Sequence, residues 1–385
     1  MSEAIAFEPA SEPRASSFLS IRIGWRNLWR NQRRTWLTAG GIAFSVLLVM
    51  SFMSLQFGQY GVMIDTGTSL LPGHMQITSA EYLDDERFEA TLPDIQALIT
   101  TVSAVPGVEA VAPRVEAFAL VSAEERSFGA QILGVDPAAE LETVRYLKML
   151  SSGVLPSGPQ EAVIGSVLAR NLGVQLGQEV VVLGSGKEGG VAALVLIVSG
   201  ILETGMADLD RSLLVAPIAA VRDGLGLADE AHTLALRLQT PDDAEKLARE
   251  LAVLMPSGTV VRPWQEVMPE LKQAIDVDKI GGQLMYGIIM MLVMFSVVNS
   301  FIMTIFERTR EFGMMLAIGM RPRTIIGMLQ WEALFLWMLG ALIGGGLAVA
   351  LIFWLADIGI YLGEDMQDYA KQFYMPARLF PGFST

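Results

Sequence analysis

The sequence predicts an α-helical membrane protein with a large α+β extracytoplasmic domain, made of a split βαβ lobe and an inserted, mostly-β lobe. Three observations predict it. Residues 35–64, 281–306 and 333–356 contain no Asp, Glu, Lys or Arg, and each exceeds the roughly 20 apolar residues needed to cross a hydrocarbon core of about 30 Å. Residues 65–280 hold 31 acidic and 15 basic side chains, enough to account for the whole net charge of −14. Both ends of that acidic stretch show strand-like alternation on either side of a helical period.

Residues 1–20, with Pro, Ser and Glu, read as a disordered cytoplasmic tail. Over 21–36, Ile21, Trp25, Leu28, Trp29 and Trp36 recur near helical spacing, interleaved with Arg22, Arg26, Arg30, Arg33 and Arg34. This pattern predicts an amphipathic helix in the membrane interface, tryptophans at headgroup depth and arginines toward anionic lipid. A plain basic flank would explain the arginines but not the paired tryptophans. The first span, 37–64, is too long for the roughly 7–15 apolar residues of a signal-peptide core and reads as a retained anchor. Gly40, Gly41 and Gly344 to Gly346 would permit close helix approach in lipid.

Orientation follows from the flanking charges. Arg14, Arg22, Arg26, Arg30, Arg33 and Arg34 outnumber Glu3, Glu8 and Glu12 before the first span. Arg308, Arg310, Arg321 and Arg323 lie between the second and third spans. Both regions are therefore expected to be cytoplasmic and the acidic insertion external. With no cysteine, the external domain must rest on a packed core, which a segment of this size can supply. The lack of Cys, with His74 and His232 as the two histidines, removes most metal sites and most Cys- or His-dependent catalysis.

Inside the insertion, 74–78 alternates like a strand, 92–105 is helical and 108–121 alternates again. Residues 232–238, 241–254 and 259–262 repeat the order, with Pro and Asp suited to each helix start. Two β-α-β units split by an insertion predict one ferredoxin-like layer assembled from distant segments. Residues 136–230 read as mostly β. Gly184-Ser-Gly-Lys187 superficially matches a phosphate loop, but Val181 and Glu188 occupy the positions of the first Gly and the Ser/Thr. It is expected to be a hairpin tip.

The second span covers 281–305. A short helix follows over 306–322, with Glu307, Arg308, Arg310 and Glu311 at its start and Arg321 at its end. A helix of this kind between two spans suits docking a soluble partner. Gly319 is expected to end it in a left-handed cap, with Pro322 preventing continuation. The third span covers 328–357, and 358–385 is expected to be an extracytoplasmic tail or loop. Glu332 is expected at the interface near Arg323 or Arg34. The 21 methionines fit adaptable packing better than soft-metal handling.

Four segments carry a family resemblance: 26–35 (RNLWRNQRRT), 162–173 (AVIGSVLARNLG) with 176–178 (LGQ), 200–205 (GILETG) with 208–210 (DLD), and 299–332, containing ERTREFG, AIG and a following Arg. Together they resemble a permease of the ABC-transporter superfamily that includes MacB, LolC/LolE and FtsX-like proteins. The resemblance implies a mechanically coupled subunit of the bacterial inner membrane. It implies a porter-like periplasmic lobe from 65–135 and 231–280, an inserted lobe at 136–230, and a second permease, identical or different. It also implies a dimeric cytosolic ATPase that binds ATP and Mg and docks on the helix at 306–322, with no cofactor in this chain. Glu307, Arg308, Arg310, Glu311, Phe312, Gly313, Met315, Ile318, Gly319 and Arg321 would form that docking site. A periplasmic adaptor or a lipoprotein would be a further partner, and nucleic acid would not. The family pattern has four spans, and the fourth would follow residue 380.

Export or extraction of an envelope substrate (lipoprotein, lipid, drug or peptide) is the leading function. An FtsX-like regulator that activates a wall hydrolase is the alternative, and the size of the external domain argues against it. A membrane-anchored enzyme would need a nucleophile–base set, metal spacing or phosphate loop that the sequence does not offer.

Overall fold

The computed structural model describes residues 15–30, 32–85, 88–187, 189–361, 378–379 and 381. The expected tail at 1–20 lies outside them up to residue 14, and the segment at 358–385 lies largely outside them. Helix already begins at Ala15. The described residues divide into two compact units, one of those up to 59 together with 277–361 and 378–381, the other of those within 60–276.

The first unit is helical. Ala15–Arg30 is followed by Gln32–Leu70, and Thr35 Oγ1 donates to the Leu28 carbonyl at 2.6 Å across their junction. The helix expected over 21–36 thus ends at Arg30, and 32–36 already belong to the first-span helix. Among the described residues, three helices, Gln32–Leu70, Pro269–Glu307 and Pro322–Ile358, are long and apolar enough to cross a membrane. At about 1.5 Å per residue, the 39-residue first-span helix measures roughly 58 Å, nearly twice the hydrocarbon core. It and Pro269–Glu307 contribute residues to both units.

The first and third spans meet along small residues. A Cβ added to Gly340 would lie 2.7 Å from Ile42 Cβ, and one at Gly344 would lie 2.3 Å from the Ala43 carbonyl oxygen. Ala348 and Ile352 follow at i+4 intervals on the same face of the third-span helix, both buried. Such small-residue seams let backbones approach closely in lipid. Gly40, Gly41 and Gly346, expected to serve this purpose, have open space around them; Ala39 and Ala43 take the first span's share. The second span is joined to the first by side-chain hydrogen bonds: Thr38 with Ser300 at 3.0 Å, and Tyr286 Oη donating to Gln56 Oε1 at 2.7 Å, while Gln56 Nε2 donates to Asp278.

The second unit carries a ten-stranded sheet: β1 (Met75–Ser79), β2 (Val108–Ala123), β3 (Arg126–Val135), β4 (Leu150–Gly153), β5 (Glu161–Gly165), β6 (Glu179–Ser185), β7 (Val191–Leu202), β8 (Leu213–Pro217), β9 (Thr233–Leu238) and β10 (Thr259–Pro263). One part, in the order β10-β1-β9-β2, is antiparallel throughout. With helices Ile95–Ser103 and Ala244–Leu254 as crossovers, this is the split βαβ layer that the sequence predicts. Its core holds Met75, Ile77, Ile95, Val102, Leu236 and Leu251, together with Tyr60 and Met63 from the first-span helix and Leu271 and Ile275 from the second. Asp94, expected as a helix cap, sits at φ 50° with no side-chain cap bond.

The inserted lobe is a closed barrel. β2 pairs β3, β3 pairs β8, β8 pairs β5, β5 pairs β7, β7 pairs β6, and β6 returns to β2. Alternate residues point inward: Ala192, Leu194, Leu196 and Val198 of β7 share one core with Val180, Val182, Val121, Ile132, Ile164 and Leu214. The 16-residue β2 belongs to both layers, so the inserted lobe begins within β2 rather than at 136, and β3 is a barrel strand.

Arg114 stands where β2 changes partners, opposite both Thr233 of β9 and Val135 of β3. Its guanidinium makes a two-point contact with Glu140 of helix Pro137–Thr143: Nη2 to Oε1 at 2.7 Å and Nε donating to Oε2 at 3.2 Å. Both side chains are buried. Burial opposes the arginine's charge, and the Glu140 carboxylate more than restores it, leaving its pKa raised.

His232 is buried between the rings of Tyr82 and Phe88. Its Nδ1 accepts from the Glu116 amide at 3.0 Å, so Nε2–H donates to the Phe88 carbonyl at 2.9 Å. Burial holds both His232 and His74 below the ordinary histidine range. On acidification the unfolded chain takes up these protons before the folded chain does, so stability falls as pH drops through that range. The melting temperature of the full chain should decline between about pH 7 and pH 5, and His232→Gln should reduce the slope. An unchanged slope in that variant would remove this imidazole as a cause.

Candidate functional site

At one end of the helical unit, charged residues from five elements converge. The second-span helix stops at Glu307. Arg308, with φ −101° and ψ 8°, breaks the path, and a nine-residue helix, Thr309–Ala317, follows. The segment expected as one helix over 306–322 is therefore a span end, a one-residue break, this short helix and a turn. Its exit is a Schellman motif: Gly319 at φ +95° donates to the Leu316 carbonyl, and the Met320 amide donates to Met315. Pro322 then opens the third-span helix, with Arg321 as its N-cap residue.

Ion pairs hold the short helix in place. Glu311 accepts from Arg30 of the N-terminal helix at 2.6 Å and from Arg308 at 3.0 Å, and these hydrogen bonds keep its carboxyl below the usual carboxylate range. Arg34 of the first span reaches Glu307 at 2.9 Å. Arg308 also lies 3.3 Å from the buried Glu332, so Glu332 pairs with Arg308 and not with Arg323 or Arg34. The Arg308 guanidinium sits 5.3 Å over the Phe312 ring.

These contacts turn Glu307, Arg308 and Glu311 toward the chain itself and leave Phe312 and Met315 half-buried. The face left outward is Arg310, Gly313, Met314, Ala317 and Ile318, at spacings i, i+3, i+4, i+7 and i+8. Ile318 is 83% exposed and Met314 61%. Arg310 has no ion pair among the described residues. Met314 and Ala317 were not legible as members of this face, because which side of an amphipathic turn faces out depends on Arg30, far away in sequence.

The N-terminal helix packs on the third span through Gly24 and Leu28, both buried, with a Cβ at Gly24 falling 3.1 Å from Trp331 Cβ. Trp25 meets Phe335 edge-on at 5.4 Å and Trp29 at 6.1 Å. Arg22, Arg26, Arg30 and Arg33 stay exposed, whereas Arg34 is partly covered.

A family model described as the MacB-like periplasmic core domain matches residues 35–254, more than half of the chain. The chain belongs to the MacB/LolC/FtsX-like permease superfamily. A model of the FtsX-like permease C-terminal region matches 284–383, so Glu307, Arg308, Glu311 and Glu332 of this permease fall within it, and Arg30 and Arg34 lie outside it. Among curated relatives, the lipoprotein-releasing system transmembrane protein LolC of Neisseria meningitidis serogroup B is 25% identical over 341 residues, covering 85% of this chain and 80% of that protein. LolC of Xylella fastidiosa is 23% identical with the same coverage. An uncharacterised ABC transporter permease of Mycobacterium tuberculosis is 26% identical over 268 residues, covering 69% and 67%. Among solved structures, the periplasmic region of MacB from Actinobacillus actinomycetemcomitans aligns with TM-score 0.37 and 16% identity, over 52% of this chain and 92% of that one. The extracellular domain of YknZ from Gram-positive bacteria aligns with TM-score 0.36 and 15% identity, over 49% and 98%.

The motifs within the second unit of this permease are packing devices. A Cβ at Gly165 would lie 2.3 Å from the Asp210 carbonyl oxygen, and one at Gly200 would lie 2.7 Å from Leu150 Cδ1. The Asp210 carboxylate accepts from the amide and hydroxyl of Thr204. The Gly184–Lys187 segment lies at the β6–β7 turn, and its lysine is engaged with Glu230 at 2.5–2.6 Å.

Proposed function

We propose that this chain is the permease subunit of an ABC complex of the bacterial inner membrane, with residues 60–276 in the periplasm. A separate cytosolic ATPase, binding ATP and Mg, docks on the outward face of Thr309–Ala317. Nucleotide-driven motion there passes to the periplasmic domain and drives export or extraction of an envelope substrate. The observation that carries this reading is the short helix between two spans, held from behind by ion pairs and presenting Arg310, Gly313, Met314, Ala317 and Ile318. The basic flanks at 22–34 and 308–323 support the orientation. The LolC relatives make an acylated lipoprotein the favoured substrate. In this reading the inserted barrel meets that substrate or a periplasmic adaptor, supported by its exposed Phe118, Val191 and Val195. A second permease, of the same or a different sequence, completes the complex.

The test is co-purification with the cognate ATPase. Met314→Asp and Ile318→Asp should each weaken association at least about tenfold, as expected for charge placed in an apolar anchor worth 1.4 kcal/mol or more, while the chain's own melting temperature stays unchanged. Undiminished pull-down and ATP turnover would reject the docking face. The purified chain alone should show no ATP hydrolysis, and turnover should appear when the ATPase is added. Release of a lipoprotein from proteoliposomes to a soluble acceptor would then separate the extraction reading from a regulatory one.

A further inference from the structure

The N-terminal helix places two stripes side by side. Arg22, Arg26 and Arg30 recur at i+4, and Trp25 and Trp29 run beside them, the latter pair in edge-to-face contact at 6.1 Å. Like charges at i+4 spacing repel one another along a helix unless counter-charge is supplied. The chain supplies little: Glu311 reaches Arg30, and Arg22, Arg26 and Arg33 have no ion pair among the described residues. Asn27 lines the same cleft as Arg26 and Arg30, and its amide nitrogen lacks a hydrogen-bond partner among the described residues. The Arg30–Glu311 pair is itself open to solvent, with side chains 57% and 40% exposed. Surface pairs of this kind hold weakly, whereas a phosphate can take an arginine fork in two-point fashion.

We infer that the phosphate of an anionic phospholipid binds along Arg22, Arg26 and Arg30 and takes Arg30 from Glu311, so that lipid headgroups set whether the short helix Thr309–Ala317 is tethered to the N-terminal helix. The occupant follows from charge and geometry together. Three arginines ask for an anion, the tryptophan stripe beside them belongs at headgroup depth, and packing of Gly24 and Leu28 on the third span fixes the helix against a membrane-crossing element. Lipid binding and release of Glu311 are two ends of one exchange at Arg30. This inference rests on the membrane character of the chain and not on the ATPase reading, and its readouts involve no ATPase.

The test uses the full chain in nanodiscs of phosphatidylcholine with or without phosphatidylglycerol. Native mass spectrometry should show phosphatidylglycerol retained by the wild type and retained at least severalfold less by an Arg22→Gln/Arg26→Gln variant. Amide hydrogen exchange over 309–317 should rise when phosphatidylglycerol is present in the wild type, and this rise should be absent in the double variant. Glu311→Gln should show the high exchange rate in either lipid, which reports loss of the tether without touching the arginines. Equal retention by wild type and double variant would overturn the lipid site. The same exchange response to soluble glycerophosphate would show a general anion site and overturn the lipid assignment. Lipid retention with unchanged exchange over 309–317 would overturn the competition at Arg30.

Discussion

Replacing Gly344 by leucine should separate the first and third spans and lower the melting temperature of the detergent-solubilised chain by many degrees. Overpacking an interior typically costs about 1–3 kcal/mol when side chains can move aside. Here the first added atom would fall 2.3 Å from the Ala43 carbonyl oxygen and 2.8 Å from its Cα. Those are backbone atoms of a helix and cannot rotate away, so the cost should lie at or beyond the top of that range. Gly344→Ala should already be harmful, because the clash begins at Cβ. Gly346→Leu supplies the control: nothing lies within 4 Å of its added Cβ, and its melting temperature should match the wild type. Equal behaviour of the two leucine variants would mean that the small-residue seam does not hold these helices.

The second large effect is expected at Arg114. Removing one member of a buried, hydrogen-bonded ion pair leaves the other charge uncompensated and costs about 3–5 kcal/mol. Arg114→Met should therefore loosen the place where β2 passes from the split βαβ layer to the barrel, since Arg114 pairs with strands of both. Limited proteolysis should show faster cleavage between residues 108 and 140, alongside a lower melting temperature. Glu140→Leu should be comparably harmful. The double variant Arg114→Met/Glu140→Leu should recover most of the loss, because replacing a whole buried pair with apolar groups is often neutral. Single variants that melt like the wild type would show that the pair contributes nothing to the junction.

Local pattern carried much of this protein. A charge-free run of the right length specifies a membrane-crossing helix wherever it occurs, and strand or helix period declares itself within a few residues. Hence 74–78, 108–121 and 259–262 were legible within a residue or two of β1, β2 and β10, and the Gly319 cap was legible because left-handed backbone favours glycine. The two β-α-β units even implied their common sheet, since each alone leaves its strands without a partner.

What local pattern does not contain is the identity of a distant partner. Alternation along β7 states that one face is buried, but not that β6 closes a barrel by returning to β2. The length of β2 gives no sign that it serves two layers. Glycine content marks where helices can approach, yet Ala39 and Ala43 form the first span's seam while Gly40 and Gly41 face open space, because rotation of the helix about its axis is set by its neighbour. At the candidate site, residue types alone would turn every charge of the segment after Glu307 outward. Arg30 and Glu311, 281 positions apart, together with Arg308 and the buried Glu332, decide otherwise, since partners distant in sequence choose which face of a short helix remains free to meet a partner.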